Sequence, residues 1–156
     1  MSEHSQRHPL ASVPGALALA AWSIYLLCAV LLYYPDFLAS VLIAAFFGLL
    51  ACAAVVFNFK YWRATVLLAS SVYLLLYAIR VIRMTTMTTT DLSFLSAISS
   101  YYNILWLVTT GMFQEKGMAG GLAQVFLEYV MPVLVVVLIA VVLLSRPQNP
   151  GASRTG

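Results

Sequence analysis

Long uncharged apolar runs, separated by short polar interruptions, set the organisation of this chain. Residues 16–34 are almost wholly apolar and end in Tyr33-Tyr34-Pro35-Asp36, which reads as a turn. A first membrane-crossing helix is predicted there. The run is longer than the apolar stretch of a cleaved signal peptide and leads into bulky tyrosines, so it is expected to stay as an anchor. Residues 37–57 form a second uncharged run of 21 residues, enough to cross about 30 Å of hydrocarbon. Within it Ser40, Ala44, Gly48 and Cys52 recur every fourth position. That spacing lines small side chains along one helix face, where another helix backbone approaches closely.

The stretch Asn58-Phe59-Lys60-Tyr61-Trp62-Arg63 combines aromatic and basic residues, as expected where a hairpin meets the membrane surface. A third crossing is predicted over residues 64–82, with Arg80 and Arg83 near its far end. The threonine-rich stretch from Met84 to Asp91 lacks apolar periodicity and reads as a loop, with Thr90 or Asp91 as the N-cap of the next helix.

Residues 92–113 have the length of a crossing but carry many polar side chains. Ser93, Ser96, Ser100, Asn103 and Thr110 fall on one helical face, and Leu95, Ile98, Tyr102, Leu105 and Trp106 on the other. Three placements fit that pattern: an amphipathic helix in the interface, a re-entrant segment, or a fifth crossing. After a polar joint at residues 114–121, residues 122–144 are the most apolar run of the chain, interrupted by Gln124, Glu128 and Pro132. The expected fold is therefore all-α: a polytopic membrane helical bundle of four transmembrane helices plus the 92–113 helix. Flexible tails are expected at residues 1–15 and 145–156.

Composition agrees with this reading. Of 156 residues, 63% are hydrophobic and 8% charged, against about 25% charged in soluble domains. Lipid, rather than water, is expected to cover most of the surface. The formal charge of +3 is spread along the chain, which argues against a nucleic-acid partner. Its value is topological. With a cytoplasmic N-terminus and four crossings, Arg7, Lys60, Arg63, Arg146 and Arg154 fall inside, and Arg80, Arg83 and Lys116 outside. A fifth crossing would level the balance at four against four, so the positive-inside rule prefers four. The overall character is that of a small bacterial inner-membrane protein.

Ionisable groups inside a crossing cost about 2.5–3.5 kcal/mol at mid-helix, which makes Arg80 and Glu128 the residues of interest. Arg80 lies seventeen residues beyond Arg63, about 25 Å along a helix. Glu128 lies six residues into the last apolar run, about 9 Å from its start. Comparable depth lets the two pair. Pro132 is expected to kink the last helix, and it has no amide for the Glu128 carbonyl four residues earlier. Tyr73, Tyr77 and Arg80 share a face of the third helix, and two readings fit: Arg80 and Arg83 snorkel to the headgroups while Glu128 is protonated or paired purely for structure, or Arg80, Glu128, Tyr77 and Tyr73 form a polar substrate or proton site.

His4 and His8, in a proline-flanked tail, do not make a metal site, and no other histidine is present to ligate haem. Cys28 and Cys52 lie in apolar runs without a metal or disulfide spacing. No metal and no cofactor is expected. Three functions remain open: a non-catalytic accessory, assembly or scaffold subunit with other membrane subunits or copies of itself as partners; a small oligomeric transporter or channel using Arg80 and Glu128; and a membrane enzyme acting on a lipid, with Asp91 and Glu115 at the outer surface.

Overall fold

A computed structural model of the chain describes residues 9–32, 38–88 and 94–145. The tail histidines, the Tyr33-Tyr34-Pro35-Asp36 turn, the Thr90 or Asp91 cap and the tail from Arg146 onward lie outside the described residues. Among the described residues the secondary structure is all helical: α1 (Val13–Leu31), α2 (Leu38–Val56), α3 (Trp62–Thr88), α4 (Phe94–Glu115), α5 (Gly117–Val125) and α6 (Met131–Leu144). A short 3-10 turn, Pro9–Ala11, precedes α1, and a π-helical turn, Phe126–Val130, joins α5 to α6 into one continuous rod. Four helices are long and apolar enough to cross a membrane: α1, α2, α3 and the α5–α6 rod. The amphipathic α4 is not among them.

Several boundaries depart from the sequence reading, each for a local reason. The first helix starts at Val13 rather than 16, because Ser12 caps it: the Gly15 amide donates to the Ser12 hydroxyl oxygen, and Pro14 occupies a first-turn position where its missing amide costs nothing. The threonine-rich stretch, expected as a loop from Met84, continues α3 to Thr88. Thr85 and Thr86 donate their hydroxyls to the carbonyls of Ile82 and Arg83, three residues back, within the helix. The polar joint expected over 114–121 is almost entirely helical. Only Lys116 separates α4 from α5, with Gly117 at φ 67° reversing the chain. A Cβ on Gly121 would sit 2.2 Å from the Phe113 ring, so α5 folds back directly against α4.

Between α2 and α3, Asn58 takes the left-handed conformation at φ 52°. The Phe59 amide reaches back to the Ala54 carbonyl (3.0 Å), the Schellman closure that ends α2. The aromatic and basic residues after it cluster as the hairpin reading implies. Lys60 lies over the Tyr61 ring and Arg63 over the Trp62 ring, 5.4 and 5.5 Å from the centroids.

The core is drawn from four helices. Trp22 and Tyr25 of α1, Ala44, Ala51 and Val55 of α2, and Val66, Ala69 and Tyr73 of α3 meet Met131, Val135, Leu138 and Val142 of α6. The last set is an i, i+4, i+7, i+11 stripe, the packing seam of a helix facing helices. α1 packs on α2 and α6, α2 on α3, and α3 on α6, while α4 packs on α5 and α3. The small-residue stripe of α2 serves this core. Ala44 and Gly48 are buried, Ser40 and Cys52 half-buried, and a Cβ on Gly48 would stand 2.6 Å from the Trp22 ring. The opposite faces expose large apolar side chains, Val30, Phe46, Val133 and Leu144 among them. Apolar exposure of that extent suits lipid.

Candidate functional site

Two contacts define how α3 lies against the last rod. Arg63 donates from its guanidinium to the Ser145 carbonyl, and seventeen residues further along α3 the Arg80 guanidinium meets Glu128, itself seventeen residues before Ser145. Equal steps in opposite chain directions make α3 and the α5–α6 rod antiparallel and in register over about 25 Å. Because the rod begins at Gly117 rather than 122, Glu128 lies eleven residues in, about 16 Å from the Lys116 turn rather than 9 Å.

Arg80 and Glu128 are 2.6 Å apart, Nη2 to Oε2, with the two side chains 20% and 7% exposed. A largely buried ion pair persists because each partner is held by further contacts. The guanidinium also lies over the Tyr77 ring, 5.3 Å from its centroid. On the other side the Tyr101 hydroxyl stands 3.4 Å from Glu128 Oε2 and 3.0 Å from the Tyr77 hydroxyl.

The backbone of the rod explains the tyrosines. In α-helical register the Glu128 carbonyl would take the amide of residue 132, and in the π-helical turn the Leu127 carbonyl would take it; Pro132 offers neither. Both carbonyls are instead served from α3. Tyr73 donates to the Leu127 carbonyl and Tyr77 to the Glu128 carbonyl, each at 3.1 Å. The π-helical turn is confirmed as the local adjustment by the Met131 amide, which reaches the Phe126 carbonyl five residues back. Tyr73, Tyr77, Arg80, Glu128 and Pro132 thus meet in one assembly.

Aromatic rings extend the assembly in both directions. Trp22, Tyr25 and Tyr73 meet edge to face with centroids 5.6–6.1 Å apart, and Tyr77 meets Tyr101 at 6.4 Å. Two cavities flank the ion pair. One of about 40 Å³ lies among Tyr25, Ser40, Tyr73, Tyr77 and Arg80. The other, of about 250 Å³, is bounded by Arg80, Glu128 and Gln124, with apolar walls from α1 and its C-cap Leu32, α2, Met84 of α3, α4 and Leu127 of the π-helical turn.

Two members of this site were not singled out from the sequence. Tyr101 was hidden because the serines of α4 drew the polar face elsewhere, whereas the buried stripe is Tyr101, Leu105, Thr109 and Met112. Its i, i+4, i+8, i+11 spacing was the signal. Gln124 was noted only as an interruption, though it stands four residues before Glu128 and so shares its face. Among the described residues no three His, Cys, Asp or Glu side chains gather where a metal would be held.

Compared with known proteins, the chain matches no family model, no curated protein and no solved structure. The functional reading rests on the geometry.

Proposed function

We propose that this chain is a multi-pass protein of the bacterial inner membrane that acts without catalysis, through helix contacts, as an accessory, assembly or scaffold subunit. It crosses four times with its N-terminus in the cytoplasm. The antiparallel register of α3 and the α5–α6 rod supports an even count. A crossing by α4 would make the two run in the same direction, against the Arg63–Ser145 and Arg80–Glu128 contacts. With four crossings, the basic 60–63 hairpin and Ser145 share the cytoplasmic side, in keeping with the positive-inside rule.

The observation that carries the contact reading is the uncovered face of α4. Tyr102 and Trp106 are 54% and 65% exposed there, and Ser99 and Asn103 are exposed beside them. Aromatic anchors mixed with hydrogen-bonding side chains fit a protein partner better than lipid tails, which offer the polar groups nothing. Photo-crosslinkers placed at Trp106 and, as a lipid-facing control, at Val133 test the reading in intact membranes. A discrete protein adduct at 106 and none at 133 is expected. Lipid adducts alone at both positions would overturn it.

A further inference from the structure

We infer that the cavity of about 250 Å³ beside Arg80 and Glu128 is a binding site for the uncharged, hydroxyl-bearing head of a membrane lipid of the diacylglycerol type. Three observations carry this, and none depends on the uncovered face of α4.

The first is Gln124. The residue is 4% exposed and its side chain makes no hydrogen bond among the described residues, yet its amide keeps a little open space beside it. It lines the cavity. Leaving a buried amide without a partner is costly, so an amide that borders a cavity marks where a polar guest belongs.

The second is the charge balance. Both contacts made to the Glu128 carboxylate fall on Oε2, which leaves Oε1 as an acceptor, and Arg80 spends one nitrogen on the pair. Carboxylate, amide and guanidinium therefore present an acceptor and donors side by side. The positive charge is already neutralised at 2.6 Å. A phosphate would meet the carboxylate and gain no free cation, and an ammonium would meet the guanidinium. An uncharged hydroxyl fits both requirements: it donates to Glu128 Oε1 and accepts from the Gln124 amide.

The third is the remaining wall. Leu32, Val41 and Leu105 are among the eight apolar residues of the eleven that line the cavity. At this volume, just under the usual range for ligand pockets of about 300–1,000 Å³, the site holds a glycerol-sized head and the first carbons of its chains. The remainder of the chains stays in the bilayer against helices that already face lipid.

The test uses the full-length chain in nanodiscs, with a diacylglycerol carrying a photoreactive acyl chain and, in parallel, phosphatidylglycerol and phosphatidylcholine carrying the same chain. Diacylglycerol is expected to label peptides that include Leu32 or Leu105, and excess unlabelled diacylglycerol to abolish that labelling. Gln124→Leu removes the amide without changing charge and is expected to lower labelling about tenfold. Val108→Phe, which fills the cavity, is expected to remove it; both variants are accepted only if they elute as the native protein does. Equal labelling of these peptides by the phospholipids would overturn the inference. So would labelling of the native chain that unlabelled diacylglycerol does not compete, a result independent of how either variant folds.

Discussion

The hydroxyl of Tyr77 on α3 lies 3.1 Å from the backbone carbonyl of Glu128, the carbonyl that Pro132 leaves without an amide in α-helical register. One side chain on a neighbouring helix replaces a hydrogen bond that the rod cannot make for itself. Tyr73 does the same for Leu127. The α3–rod pairing is therefore specific at the level of the backbone, and its energetics are open to a cycle of substitutions.

Tyr77→Phe is expected to lower stability by about 1–2 kcal/mol, the cost of leaving a buried carbonyl unmade. In a Pro132→Ala background the rod is free to return to α-helical register, where the new amide serves that carbonyl, and the same change is then expected to cost less by at least about 0.5 kcal/mol. Reversible unfolding by steric trapping in bicelles measures both. Identical costs in the two backgrounds would mean that Tyr77 does not answer to Pro132.

Breaking the ion pair from one side leaves a charge in apolar surroundings. Arg80→Met alone is expected to destabilise the protein by about 3–5 kcal/mol. The double change Arg80→Met with Glu128→Met is expected to recover most of that loss, because neither charge then remains. A double variant as unstable as the single one, in the same unfolding measurement, would show that the pair's worth lies in something other than its mutual neutralisation.

Gly48 is a point of close approach between α2 and α1, its missing Cβ standing 2.6 Å from Trp22 Cε3. The Trp22 side chain is fully buried and cannot swing away. Gly48→Ala is expected to cost about 1–3 kcal/mol through overpacking, and Trp22→Phe in the same chain to return part of it. Thermal denaturation in detergent, followed by loss of the monodisperse peak, reads the order of the three proteins.

Much of this arrangement was legible in the sequence, and the parts that were not have physical reasons. The four long apolar helices follow from run length alone. The depth match of Arg80 and Glu128 followed from counting helical residues, even though the starting point of the last helix was misplaced; its register comes from the Arg63–Ser145 contact, which involves a backbone carbonyl and leaves no compositional trace. The threonines after Met84 read as a loop because the stretch lacks apolar periodicity. Hydroxyl bonds to carbonyls one turn back keep Thr85 and Thr86 helical. The π-helical turn was invisible, since Pro132 announces an orphaned carbonyl but not how the backbone absorbs it. In α4 the buried stripe from Tyr101 to Met112 runs between the two faces that polarity alone separates, so Tyr101 emerged only when the helix was seen folded back on α5.

The central claim is that α3 and the α5–α6 rod cross the membrane in opposite directions, so that α4 does not cross. Single cysteines at Lys60 and Lys116, introduced after Cys28 and Cys52 are replaced by alanine, test it with a membrane-impermeant maleimide on intact cells. Labelling at 116 without permeabilisation, and at 60 only after it, is the predicted result. Labelling of both positions from the same side would contradict the account.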